Sequence, residues 1–276
     1  MTGRLVLCGT PIGHLGDASP RLAEVLGQAE VVFAEDTRRA RVLLDHLGVT
    51  TVPRSYFAGN EASRRARLAL LLEQGATVAL LADAGMPTVC DPGFSAVREA
   101  RRVGAAVSVV PGPSAVVAAL AVSGLPSERF AFEGFLPRKG GQRARRLEEL
   151  AAESRTIVLF SPTARVRADL SSLAAVLGGG RHMTVARELT KAHEEVWSGT
   201  LEEAVAEWQR RSPRGEFTLV IAGWPGSTTP MGHAVAEVEA RKADGEPMSQ
   251  AVRTVADALG LGRRSLYEAV LKELRS

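Results

Sequence analysis

The densest run of titratable side chains in the sequence is Arg187-Glu188-Leu189-Thr190-Lys191-Ala192-His193-Glu194-Glu195. It follows directly on an apolar, β-branched run. Such a run is either an ion-paired strand end or one wall of a cleft in which protons are moved. A second acidic pair, Glu35-Asp36, also stands at the end of an apolar run. Three loops rich in Gly and Pro offer different chemistry, the close approach of main chain to a ligand. They are Gly9-Thr10-Pro11-Ile12-Gly13-His14-Leu15-Gly16, Asp83-Ala84-Gly85-Met86-Pro87 continuing to Asp91-Pro92-Gly93, and Pro111-Gly112-Pro113-Ser114-Ala115. Glycine removes the side chain from such an approach and proline stiffens it. Ser114 would cap a helix and offer its hydroxyl and the free amides of that helix end. Any one loop reads equally well as turn chemistry. Three of them, each closing an apolar run, point to one ligand site. The glycine-rich nucleotide signatures G-x-G-x-x-G and G-x-x-x-x-G-K-[ST] are absent from the sites where they would count.

The elements that must position these loops follow from periodicity. Strand-like runs fall at 5–8, 31–34, 76–81 and 107–110, and helical patterns at 20–28, 37–47, 61–74 and 94–102. Ser19, Asp36 and Asn60 are the expected N-caps. Strands alternating with amphipathic helices predict an α/β domain with a mainly parallel sheet, which binds ligands beyond the carboxyl ends of its strands. A second α/β half follows, with strands at 156–160, 183–187 and 217–222 and a helix capped by Thr200. The glycine-bearing basic stretch Arg138-Lys139-Gly140-Gly141-Gln142-Arg143 is the expected linker; it is either a hinge or a contact for RNA phosphates. The division expected is 1–136, 137–230 and 231–276. The last segment carries two helical patterns, 249–259 and 265–274, a pair that either docks on nucleic acid as a helix-turn-helix or packs on a domain.

Composition bounds the function classes. The chain has 276 residues, 45% hydrophobic and 24% charged, with 34 Lys and Arg against 31 Asp and Glu. That excess is too small to imply nucleic acid by itself. Cys8 and Cys90 have neither disulfide-framework nor zinc-ligand spacing, so no metal is expected. No run is long enough to span a bilayer, and a cytoplasmic location is the default expectation.

The motifs Thr10-Pro11-Ile12-Gly13-His14-Leu15-Gly16-Asp17, Ala34-Glu35-Asp36-Thr37-Arg38, Asp83-Ala84-Gly85-Met86-Pro87, Pro111-Gly112-Pro113-Ser114-Ala115 and Arg187-Glu188-Leu189-Thr190-Lys191 stand in order along the chain. Together they resemble the ribosomal RNA small subunit methyltransferase I family, within the tetrapyrrole-methylase fold. The resemblance implies a class III S-adenosylmethionine (SAM) methyltransferase: two α/β domains with the cofactor in the cleft between them, plus a small C-terminal helical segment, working as a homodimer. The implied reaction is 2′-O-methylation of the ribose of cytidine 1402 in 16S rRNA, with the small ribosomal subunit as substrate. Carried over by motif, Thr10, Pro11, Asp83, Ala84, Gly85, Met86, Pro87, Ser114 and Ala115 would bind SAM, with Phe160 and Ser161 meeting the adenosine from the second domain. Asp36 is the first candidate for the base that takes the ribose hydroxyl proton, and its other role is to cap the next helix. Lys191 is the second, and needs a depressed pKa for it. Arg38, Arg138, Lys139 and Arg143 are expected on RNA phosphates. This chain departs from the family's pattern at His14, where Asn is usual, and at Met86, where Thr is common. The alternatives are a tetrapyrrole C-methyltransferase of the same fold and a non-catalytic RNA-binding assembly protein.

Overall fold

The computed structural model describes residues 3–57, 59–224, 230–243 and 245–273. In the first half, β1 (Arg4–Cys8), α1 (Pro20–Gln28), β2 (Val31–Ala34), α2 (Thr37–His46), β3 (Arg54–Ser55), α3 (Glu61–Glu73), β4 (Thr77–Leu81), α4 (Phe94–Arg102), β5 (Ala106–Val110) and α5 (Ala115–Val122) succeed one another. The strands form one parallel sheet in the order β3-β2-β4-β1-β5. Its faces are covered by separate apolar clusters. Val6, Val32 and Ala79 face Leu22, Leu26 and Leu44; Leu5, Phe33 and Val78 face Leu68, Leu72 and Ala100. Burial on both faces is why these strands read as unbroken apolar runs. In the register, Cys8 stands opposite Leu81 on one side and Val110 on the other. The three Gly/Pro loops therefore leave three adjacent strands at one sheet edge.

The second half contains β6 (Phe130–Phe135), α6 (Gly141–Ala151), β7 (Thr156–Ser161), α7 (Val166–Leu177), β8 (His182–Arg187), β9 (Glu195–Thr200), α8 (Leu201–Arg210) and β10 (Phe217–Ile221). Its sheet runs β6-β7-β10-β8-β9, parallel only between β6 and β7. The two-residue period sorts β10 by face. Phe217, Leu219 and Ile221 pack under α6, α7 and α8, whereas Val220 joins Val158 and Ala186 against Ile12, Val116 and Leu120 of the first half. That second cluster seats the two sheets on each other.

Several expectations are corrected here. β6 hydrogen-bonds into the second sheet, so the chain leaves the first half before Phe130 rather than at 136, and the basic stretch lies within the second half. The strands β3, β6 and β9 were not expected. Helix capping holds at Ser19, Asp36 and Thr200, the last as a full capping box with Glu203. Asn60 instead closes a local turn, its Oδ1 accepting from the Phe57 amide at 2.9 Å, and Ser114 makes no side-chain cap. The tail has three helices, α9 (Pro230–Ala243), α10 (Met248–Leu259) and α11 (Arg263–Glu273). They enclose a small core of their own around Val238, Val252, Val255, Leu266 and Val270. Leu274, the expected last residue of the tail helix, and 225–229, beside the expected 230/231 boundary, lie outside the described residues.

Candidate active site

The loops after β1 and β4 are stitched by a two-residue antiparallel bridge. The Thr10 amide donates to Gly85 O at 2.9 Å and the Gly85 amide to Thr10 O at 3.1 Å. Gly85 takes φ +77, where an L side chain is strained, and a Cβ there would meet Ile12 and Pro113 O at 3.5 Å. The loops after β1 and β5 touch main chain to main chain, since a Cβ on Gly9 would stand 2.6 Å from the Gly112 nitrogen. Non-glycine residues also adopt left-handed backbone here, Thr88 and Cys90 in the second loop and Glu188 and Thr190 opposite. Such conformations cost about 1–3 kcal/mol each and collect at binding and catalytic sites.

Between the loops and the second sheet lies a cavity of about 500 Å³. Asp83, Ala84, Gly85, Met86, Ser114 and Ala115 line it from the first half, and Phe160 and Ser161 from the second. Thr10 and Pro11 line a smaller neighbouring cavity of about 330 Å³. Pro87 is buried behind the loop. The two cavities share Ile12, Arg39, Asp83, Ala84 and Glu216 as a common wall. The far end of the larger one is aromatic, with Phe160 stacked edge-on to Phe132 at 5.0 Å and tilted to Phe135 at 5.5 Å. Ser161 is fixed from behind. Its hydroxyl donates to Asp169 Oδ2 at 2.7 Å, and Asp169 is fully buried and ion-paired to Arg143 at 2.9 Å.

The electrostatics revise the roles expected for several side chains. Asp36 caps α2, and the Arg38 side chain and then the Arg38 amide hold its carboxyl down to about 2, which makes it a poor base. Lys191 is ion-paired to Glu188 at 2.8 Å and Glu216 at 3.0 Å. Burial works to lower its pKa, but these carboxylates together outweigh burial and raise it, so Lys191 remains a cation. The titratable run 187–195 is thus ion-paired and also faces the smaller cavity through Lys191. Arg143 is enclosed, donating to Pro137 O and Ser172 Oγ, and is not placed for phosphate. Arg38, Arg138 and Lys139 are exposed.

Three residues that sequence reasoning did not assign complete the site. Arg39 lines both cavities, 3.7 Å from Asp83. Asp83 also accepts from the Asp36 amide at 2.8 Å, tying the end of β2 to the second loop. Glu35 is raised by burial and next by the charge of Asp83. Asp91 lines the large cavity, and burial, then the charges of Glu35 and Asp83, push its pKa up to about 7. A carboxylate so placed accepts and returns protons near neutrality.

The sequence model of the Tetrapyrrole (Corrin/Porphyrin) Methylases matches residues 4–205, and the chain belongs to that class. Uroporphyrin-III-C-methyltransferase from Thermus thermophilus shares the fold at a TM-score of 0.56, with 24% identity over 80% of this chain and 94% of that one. The methyltransferase CobJ does so at 0.61, with 17% identity over 81% and 95%. Sequence likeness is much higher elsewhere. A Synechocystis protein named Ribosomal RNA small subunit methyltransferase I is 42% identical over 98% of both chains. A Mycobacterium tuberculosis protein of the same name is 45% identical over 99% of this chain and 96% of its own. Within the class, the chain is a member of the ribosomal RNA small subunit methyltransferase I family.

Proposed function

We propose that this chain transfers a methyl group from S-adenosylmethionine to the ribose 2′-oxygen of a cytidine in the 16S RNA of the small ribosomal subunit. The observation that carries this reading is identity of 42–45% over nearly the whole chain with relatives bearing that family name. Resemblance to the tetrapyrrole enzymes is confined to fold, at 17–24% identity.

The large cavity suits SAM. Its size is within the range of small-molecule sites. Gly85 lines it at φ +77, a backbone conformation that side chains rarely adopt. Gly85 and Met86 would hold the methionine part through main chain, Ser114 and Ala115 would support it from the start of α5, and Phe160 and Ser161 would meet the adenosine. SAM supplies a methyl already activated by a sulfonium, so the chain's own work is alignment and proton removal. The acceptor nucleotide is assigned to the smaller cavity, where Arg39 and Lys191 offer positive charge to its phosphates. Asp91, which lines the large cavity and stands outside the ion pairs that hold Asp36 and Lys191, is the proton acceptor proposed in their place, for a ribose that reaches across the wall the two cavities share. Arg38, Arg138 and Lys139 provide exposed charge for RNA outside the cleft.

We also propose a homodimer in the cytoplasm. Apolar Val117 and Val122 stand about half exposed on α5, where a second copy would cover them. No helix among the described residues is long and apolar enough to cross a membrane. The decisive experiment incubates the protein with labelled SAM and small subunits from cells lacking the modification. One labelled cytidine 2′-oxygen in 16S rRNA is the expected result. Transfer to a porphyrinoid acceptor instead would move the chain to the tetrapyrrole reading. Failure to bind SAM would favour an assembly protein.

A further inference from the structure

We propose that Asp91 is the residue through which the large cavity distinguishes the cationic methyl donor from its neutral thioether product, S-adenosylhomocysteine. The inference rests on the reading of that cavity as the SAM site. Both ligands carry the same adenosine, ammonium and carboxylate. They differ in one methyl and one positive charge on sulfur, so a site that separates them needs a group that responds to that charge.

The fold brings three carboxylates to one place. Glu35 follows β2, Asp83 and Asp91 stand in the loop after β4, and both of the latter line the cavity. Asp83 is engaged: it accepts from the Asp36 amide at 2.8 Å and stands 3.7 Å from Arg39. Asp91 differs. Among the described residues no cation pairs with it and no donor hydrogen-bonds to its carboxylate. Its position is nonetheless built. Cys90 before it is left-handed at φ +64, and the Gly93 amide and Ser95 hydroxyl just after it are both bound by Glu61, at 3.3 and 2.6 Å. The charged and titratable groups around it are Glu35 just after β2, Asp83 and Cys90 from its own loop, Arg39 from α2, Glu61 of α3 behind the loop, and Glu216 on the far wall. The excess is negative. A half-buried carboxylate without a partner favours its neutral form, and a cation arriving nearby favours the ionised form. The donor therefore binds with loss of a proton from Asp91, and the product does not.

The pKa of about 7 sets the pH window. A ligand that selects the ionised form should bind roughly tenfold tighter at pH 8 than at pH 6. The test is calorimetry of the full chain with SAM and with S-adenosylhomocysteine at pH 6, 7 and 8, in two buffers of different ionisation enthalpy. Expected is proton release with SAM only, a donor Kd that falls about tenfold across the range, and a product Kd that stays within about twofold. Asp91→Asn should weaken SAM well over tenfold at pH 8, abolish the pH trend and leave the product Kd unchanged; Glu35→Gln should move the inflection to lower pH. A purely structural role would weaken both ligands together in Asp91→Asn, and that outcome overturns the proposal. So does a ratio of donor to product affinity that is flat with pH in the unmodified chain. If neither ligand binds, the SAM reading itself fails and takes the proposal with it.

Discussion

Arg143→Ala should destabilise the second half rather than weaken a contact with RNA. Its guanidinium is 14% exposed, and it holds the 2%-exposed Asp169 side chain at 2.9 Å while donating to Pro137 O and Ser172 Oγ at 3.0 Å. Removing the cation leaves a buried carboxylate with the Ser161 hydroxyl as its remaining side-chain donor. Breaking one side of a buried pair costs about 3–5 kcal/mol, because the remaining charge is desolvated and uncompensated. For a chain of this size that is roughly 6–20 °C in Tm. The assay is urea unfolding followed by tryptophan fluorescence, with Trp208 inside the affected core. Asp169→Asn in the Arg143→Ala background removes the orphaned charge and should recover about 2 kcal/mol or more. Arg143→Lys should fall between, since a point charge cannot reproduce the guanidinium fork. Equal unfolding midpoints for Arg143→Ala and the unmodified chain would refute the reasoning. So would failure of Asp169→Asn to restore any stability. A phosphate contact predicts the opposite pattern, unchanged unfolding with weaker and less salt-sensitive RNA binding.

Gly85→Val should raise the Kd for SAM more than tenfold by calorimetry, because a β-branched residue at φ +77 costs at least about 1–2 kcal/mol and displaces main chain that lines the cavity; an unchanged Kd removes that loop from the site. Lys191→Arg should preserve the shape of the methylation pH profile between about pH 6 and 9. The folded pKa of Lys191 is raised, so its pairing with Glu188 and Glu216 is fully present below the ordinary lysine value and is lost as pH rises through the raised one. Loss of the profile's basic limb in Lys191→Arg would return Lys191 to the role of base. Cys90, an exposed thiol lining the large cavity, should be alkylated alone, while buried Cys8, pushed up to about 12 by burial, stays unmodified. Saturating SAM should slow that alkylation about tenfold, and a rate indifferent to SAM would place the ligand elsewhere.

Much of the fold was legible because the first sheet is buried on both faces. β2 and α1 match the expected 31–34 and 20–28, and β1, β4 and β5 differ by a residue at one end. What escaped has local causes. β6 is broken by a register shift between Phe132 and Phe135, so its alternation fails midway. β9 is an edge strand whose residues are all partly or fully exposed, which leaves no apolar stripe to find. The loops that line the cavity announced themselves through Gly and Pro. The roles of the charged residues did not, because partnership is a property of three dimensions. Arg143 and Asp169 stand 26 positions apart on different helices, and nothing local marks either as buried. Glu35 and Asp91 influence each other only because β2 lies beside β4.

The strand order has a consequence for how the protein is made. β10 is the last strand among the described residues, yet it sits in the middle of the second sheet, between β7 and β8. The first sheet is complete once residue 110 has been synthesised, and a nascent chain folds its early units first. The second sheet, by contrast, waits with an open slot until Phe217–Ile221 emerges from the ribosome. Gly215, Glu216, Phe217 and Thr218 also form part of the cavity wall. A chain stopped short of that strand carries three finished Gly/Pro loops and no closed cavity. Phe217–Ile221 must therefore be in place before the cavity between the two sheets is closed.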